Sequence, residues 1–162
     1  MINVDNLNEL PGIKLSLMSI YDVTLDHHGV YIKFLYDLLK ERLDSPDENI
    51  SHTKMPTWEE HLAFIGKQPY NEWYVIVNLE SPQDCIGSIY ISYKEEIGIH
   101  ISQGHQGKGY GPIVLQTVID SLPKRCYYAN INPKNNRSKQ LFERFGFEPV
   151  QITYKLIPVQ ED

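Results

Sequence analysis

Residues 103–111 read QGHQGKGYG, with glycine at Gly104, Gly107, Gly109 and Gly111. A strand-like run, EEIGIHIS at 95–102, precedes this stretch, and a helical pattern at 112–122 follows it. Glycine at such a junction lets the backbone turn sharply and lets a ligand approach without a Cβ in the way. Loop amides and a helix N-terminus together form a site for an anion, most naturally a phosphate.

Two familiar phosphate loops do not fit. A P-loop needs GxxxxGK followed by Ser or Thr, but Gly107-Lys108 is followed by Gly109 and the position five before Gly107 is Ser102. A dinucleotide-binding GxGxxG beginning at Gly107 would need a third glycine where Pro112 stands.

Reading outward from the loop, alternation predicts a strand at 13–20, a β-branched and aromatic run predicts one at 73–79, and 85–93 and 95–102 read as two strands joined tightly around Lys94. SPQD at 81–84 reads as a turn. Downstream, CYYANI at 126–131 and the stretch 150–157 read as further strands. Helical spacing covers 24–43, where Tyr31, Phe34, Leu35, Leu38 and Leu39 form one apolar stripe. A short helix follows Thr57, whose capping box pairs Thr57 with Glu60, and Leu62, Phe64 and Ile65 are its expected apolar contacts. The last helix, 135–145, turns Leu141, Phe142 and Phe145 inward and ends at Gly146. A β-meander followed by strand–helix–strand–helix–strand is an α/β or α+β order.

Composition narrows the function. The chain has 162 residues, the size of one domain spanning 1–162. It carries 15 basic and 21 acidic side chains, a formal charge of −6, which argues against duplex nucleic acid as a partner. MINVDNLNEL at the start lacks the pattern of a signal peptide, and no apolar run is long enough to span a membrane. Cys85 and Cys126, lying in strand patterns, read as two reduced core thiols rather than a metal site. The expected compartment is the cytoplasm, with no metal and no membrane partner.

The sequence resembles the GCN5-related N-acetyltransferases (GNAT superfamily). Gln106-x-x-Gly109-x-Gly111 matches that family's pyrophosphate loop. Asn135-x-x-Ser138, Phe142 and the sequence Phe145-Gly146-Phe147 match its second signature. The resemblance implies a GNAT fold: a mixed central sheet of six to seven strands with one splayed pair, and about four flanking helices. It implies acetyl-CoA as cosubstrate, with Ile99, His100 and Ile101 binding the pantetheine arm between strands 95–102 and 126–131. Gln106, Gly107, Lys108, Gly109, Tyr110 and Gly111 would hold the pyrophosphate, and Asn135, Ser138 and Phe142 would complete the cofactor site. A homodimer is compatible with the family.

The resemblance also implies direct attack of an amine on the thioester. An alkyl ammonium of pKa about 10.4 is neutral only about once in a thousand molecules at pH 7. A general base is therefore expected, and Glu95, Glu96 and His100 are the candidates, Glu95 ahead of Glu96. The less specific reading makes the two glutamates solvated hairpin residues and His100 a packing residue. Phe142 stands where many relatives carry a tyrosine that protonates the leaving thiolate, so Tyr110, Tyr127 or Tyr128 would have to substitute, or the thiolate would leave unaided.

The implied acceptor is a small-molecule amine, amino sugars included, since MPTWEEH and PYNEWY loosely resemble bacterial acetyltransferases of surface-glycan sugars. Met55, Trp58, His61, Trp73, Tyr74, Tyr90 and Tyr93 are the expected pocket residues. A protein N-terminus or lysine is an alternative acceptor. A non-catalytic CoA-binding sensor or scaffold is an alternative of another class.

Overall fold

The computed structural model describes residues 12–50 and 54–156. The expectations for residues 1–10 and for the end of the last strand, at 157, lie outside the described residues.

Four strands form one antiparallel sheet in the order β1 (Leu15–Ser19), β2 (Glu72–Asn78), β3 (Ser81–Ile91) and β4 (Ile97–Ile101). Four helices flank it: α1 (His28–Asp44), α2 (Trp58–Gly66), α3 (Tyr110–Ser121) and α4 (Asn136–Arg144). β2 is the centre of the sheet, and Val75, Ile76 and Val77 are fully buried. The alternation of its side chains feeds two cores. Tyr74 and Ile76 join Ile89, Ile97, Val114, Leu115 and Phe142 under α3 and α4. Trp73, Val75 and Val77 join Tyr31, Leu35 and Ile65 under α1 and α2.

α1 starts four residues later than its pattern predicts, because Asp22 accepts hydrogen bonds from the Thr24 amide and hydroxyl and holds a turn there. α2 has the full capping box. Its buried residues are His61 and Ile65, one turn apart, whereas Leu62 and Phe64 are more than 40% exposed. So short a helix buries only one narrow stripe. The SPQD stretch is not the turn. The chain reverses at Leu79-Glu80, and Ser81–Ile91 is one long strand whose register shifts opposite Ile76–Asn78.

The sheet also corrects the expected strand count. Residues 126–131 touch β4 at a single parallel bridge, Glu96–Tyr128. There the Ile97 amide donates to the Tyr128 carbonyl at 2.7 Å, and the Tyr128 amide donates to Glu95 at 2.9 Å. Beyond that point the two segments diverge, so no ladder forms. Residues 151–156 are exposed and without regular structure rather than a strand. Cys85 is buried as expected, but Cys126 is exposed, because its segment lies on the unpaired edge.

β3 and β4 close around a tight corner in which Glu95 has φ +63°, so β4 begins after it rather than at 95. Gly98 faces Tyr90 across the pair, and a Cβ at Gly98 would fall inside the Tyr90 ring. That ring cannot withdraw easily, since it stacks on Tyr70 at 4.0 Å between centroids. Gly98→Ala is therefore expected to lower stability by about 1–3 kcal/mol through overpacking, read as a reduced midpoint in urea unfolding. An unchanged midpoint would show that the Tyr70–Tyr90 stack yields freely.

Candidate active site

The bridge at Glu96–Tyr128 fixes the orientation of β4. Ile97 directs its N–H toward the 126–131 segment, so Ile99 and Ile101 do the same, while Gly98 and His100 bond to β3. Once the segments part, the Ile97 carbonyl, both main-chain groups of Ile99 and the Ile101 amide have no partner among the described residues. The Ile101 carbonyl is taken by the Gln106 side-chain amide at 2.9 Å. Ile99 and Ile101 thus have main-chain groups to offer a ligand lying in the gap. His100 does not, because β3 uses its backbone; only its side chain faces the gap.

The glycine loop begins with one turn of 3-10 helix, Gln103–His105, and leads into α3. Gly107 and Gly109 have φ +74° and +85°, conformations that an L side chain rarely adopts. They turn the chain so that the amides of residues 107–111 find no acceptor among the described residues. Gly107, Gly109, Tyr110 and Gly111, at the positive end of the α3 dipole, line the same cleft as β4. Gly111 has room: a Cβ there would make only ordinary contacts with Leu141 and Ile101. Lys108 is exposed and does not line the cleft, whereas Gln106, Gly107, Gly109, Tyr110 and Gly111 do.

The loop is anchored by polar contacts. The Gln103 amide donates to Glu41 at 3.0 Å, and Ser102 and His105 share a hydrogen bond of 2.8 Å. Arg137, at the start of α4, donates to Gln106 and, at 2.8 Å, to Glu48. Asn132 donates to the carbonyls of Pro46 and Asn49. The chain after α1 is in this way tied across to the start of α4. Arg42, Glu48 and Arg137 were not apparent from the sequence, because long-range pairing of charged side chains leaves no local periodicity. Asn135 caps α4 by accepting from the Ser138 amide at 3.0 Å. Asn135, Ser138 and the buried Phe142 all line the cleft.

The cleft measures about 810 Å³ and continues past β4 toward α1 and α2. Of the aromatic residues expected at its far end, His61, Trp73 and Tyr90 line it, together with Phe64 and Tyr70. Met55, Trp58, Tyr74 and Tyr93 do not. Tyr74 belongs to the opposite face of the sheet, and Trp58 packs edge-on against Tyr36. His61 donates to the Ile32 carbonyl at 3.0 Å, and burial holds its pKa below the usual value, so it ties α2 to α1 as a neutral ring.

The three candidate bases are separated by their surroundings. Glu95 pairs with Arg125 at 3.0 Å and does not line the cleft. Glu96 does not line the cleft itself, but it accepts from the Ser92 hydroxyl at 3.0 Å and from Asn130 at 3.1 Å, and Asn130 lines it. Glu96 lies on the same face of β4 as Gly98 and His100, and its charge contributes to raising the pKa of Tyr70 and Tyr90, though burial is the larger cause. His100 lines the cleft, and its Nε2 is buried with no hydrogen-bond partner. Burial first, and the charges of Arg42 and Arg137 next, depress its pKa to about 3. It is therefore neutral throughout the range in which enzymes of this kind would work.

Comparisons with known proteins agree with this geometry. The family model described as Acetyltransferase (GNAT) family matches residues 32–147. No curated protein matches the chain by sequence. Among solved structures, a domain from Methanocaldococcus jannaschii DSM 2661 is similar at TM-score 0.67 and 24% identity, over 86% of this chain and 91% of that one. A phosphinothricin acetyltransferase from Sinorhizobium meliloti in complex with AcCoA is similar at TM-score 0.63 and 19% identity, over 84% and 75%. Spermidine N-acetyltransferase from Vibrio cholerae, in complex with CoA and spermine, is similar at TM-score 0.60 and 18% identity, over 82% and 79%. The loop, the diverging strand and the family match converge: this chain belongs to the GNAT family and is an acetyl-CoA-dependent N-acetyltransferase.

Proposed function

We propose that this enzyme acetylates a primary amine of a small molecule, with the acceptor bound at the α1–α2 end of the cleft and attacking the thioester directly. The observation that carries this reading is the continuity of the cleft. It runs from the glycine loop and β4 to a wall of Phe64, Tyr70, Trp73 and Tyr90 that α1 and α2 enclose. A pocket between two helices and a sheet suits a compact acceptor better than a peptide chain. Aromatic walls suit a sugar face or an alkyl chain, and an amino sugar is one acceptor of that shape.

The chain's own groups divide the work. The unpaired groups of Ile97, Ile99 and Ile101 bind the pantetheine arm as an added strand would. The amides of residues 107–111 take the pyrophosphate. Acetyl-CoA supplies the activated acyl carbon when bound. Glu96 is the base in this account, collecting the ammonium proton through water that Asn130 helps to place. Glu95 is engaged by Arg125, which does not line the cleft, whereas Glu96 is bonded to Asn130, which does; neutral His100 is too weak a base to collect protons near pH 7. Phe142 can give no proton to the thiolate. Tyr110 is the tyrosine that lines the cleft among the three that could replace it, and a thiol of pKa about 8.5 also leaves tolerably unaided.

Thiol release from acetyl-CoA with a panel of small amines and peptides tests the proposal. Small amines are expected to be turned over faster, and faster turnover of the peptides would overturn it. Glu96→Gln is expected to lower kcat by about 10²–10⁴-fold with the affinity for acetyl-CoA unchanged. Loss of that much activity in Glu95→Gln instead would reverse the assignment. Gly111→Glu puts a carboxylate at the first turn of α3, where the helix dipole tolerates it and the backbone needs no left-handed conformation. Its melting temperature is expected to stay near wild type while acetyl-CoA affinity falls at least about a hundredfold through repulsion of the phosphates. Retained affinity in calorimetry would place the pyrophosphate elsewhere.

A further inference from the structure

The formal charge of the chain is −6, yet the cleft is lined with the opposite sign. Arg137 and Arg144, from α4, face its cofactor end. Arg42 from α1, and Lys54 and Lys67 from either side of α2, face its acceptor end. Among the described residues only Glu48 and Glu60 oppose them, and both are engaged. Glu48 pairs with Arg137 at 2.8 Å, and Glu60 accepts from the Thr57 amide at 2.7 Å in the α2 cap. Arg42, Lys54 and Lys67 have no carboxylate partner among the described residues.

Arg42 is the best placed of the three. It is half-buried in the last turn of α1 and lines the same cleft as the Tyr70–Tyr90 stack and His100. Burial raises the two tyrosines and lowers the histidine, and the Arg42 charge acts to lower all three, against burial at the tyrosines and with it at the histidine. A cation at a helix C-terminus complements the dipole, which accounts for its position in the helix. Among the described residues no acceptor takes the guanidinium N–H groups, and Arg42 lines the cleft. A planar guanidinium matches a carboxylate or a phosphate through two parallel hydrogen bonds.

We propose that Arg42 anchors the acceptor, and that the amine this enzyme acetylates carries an acid group, a carboxylate or a phosphate, which pairs with the Arg42 guanidinium. Lys54 and Lys67 add to the field that draws such an acceptor in and repel polycationic amines. The inference rests on the small-molecule reading above and narrows it to one chemical class.

The test is calorimetric titration of the CoA-loaded protein with two matched pairs: phenylalanine against phenethylamine, and glucosamine 6-phosphate against glucosamine. The acid-bearing member of at least one pair is expected to bind about tenfold or more tightly than its partner, and the pair concerned tells carboxylate from phosphate. Arg42→Gln is expected to abolish the preference and Arg42→Lys to restore part of it, with KM for acetyl-CoA the same in all three proteins. No preference in either pair, a preference that survives in Arg42→Gln, or an effect of Arg42→Gln on acetyl-CoA instead would each overturn the proposal. Thiol release from acetyl-CoA with the same ligands reads the reaction separately. An intact charge preference without turnover would support the anchor and count against the transfer reading.

Discussion

The active site exists because β4 and the 126–131 segment touch at one bridge, Glu96–Tyr128, and then part. A buried main-chain amide or carbonyl without a partner is costly, so an edge of this kind is stable only where something else supplies the hydrogen bonds. The chain satisfies one such group itself, the Ile101 carbonyl, through the Gln106 side chain. It leaves the groups around Ile99 facing a cleft. Folding thus provides a strand-shaped vacancy in the hydrogen-bonding pattern, and an extended amide-bearing ligand is the chemistry that fills it. The side chains of Ile97, Ile99 and Ile101 point into the core under α3 and α4, which keeps the edge rigid without using its polar groups.

The same divergence organises the charges. Among the described residues no strand covers that side of β4, and the segment after α1 reaches across to Asn132 and Arg137. Arg137 joins that segment to Gln106 and so to the glycine loop. Cations gather along a cleft in a chain that is acidic as a whole. Net charge thus predicts little about a site, because field lines concentrate in a cavity with low-dielectric walls. The histidines differ in how their ring nitrogens are satisfied. His28 and His61 donate to the carbonyls of Ile20 and Ile32, while the buried Nε2 of His100 meets only the cleft.

Much of this was legible in the sequence where a local rule applies. The glycine loop, the capping box at Thr57 and the β-branched, aromatic run of β2 each depend on neighbours in the chain, and each reading matches the local structure. The family match followed from the spacing of Gln106, Gly109 and Gly111 and from the Asn135–Phe147 signature. Readings that depended on a distant partner failed. CYYANI is as β-prone as β2, but strand formation needs a ladder, and its neighbour turns away after one bridge. The same divergence leaves Cys126 exposed. Parity along β4 put Glu96, Gly98 and His100 on one face. What it could not show is that Arg125 holds Glu95, or that Arg42 lines the cleft with no carboxylate partner among the described residues.

Amide hydrogen exchange with and without saturating acetyl-CoA reads the central claim most directly. The amides of Ile99 and Ile101 and those of residues 107–111 have no acceptor among the described residues, so they are expected to exchange fast in the free protein and to slow together on binding. Gly98 and His100, already bonded to β3, are expected to change far less. Equal exchange at Ile99, Ile101 and the loop in the free and loaded protein would mean that the cosubstrate is held by something other than the diverging strand and the glycine turn.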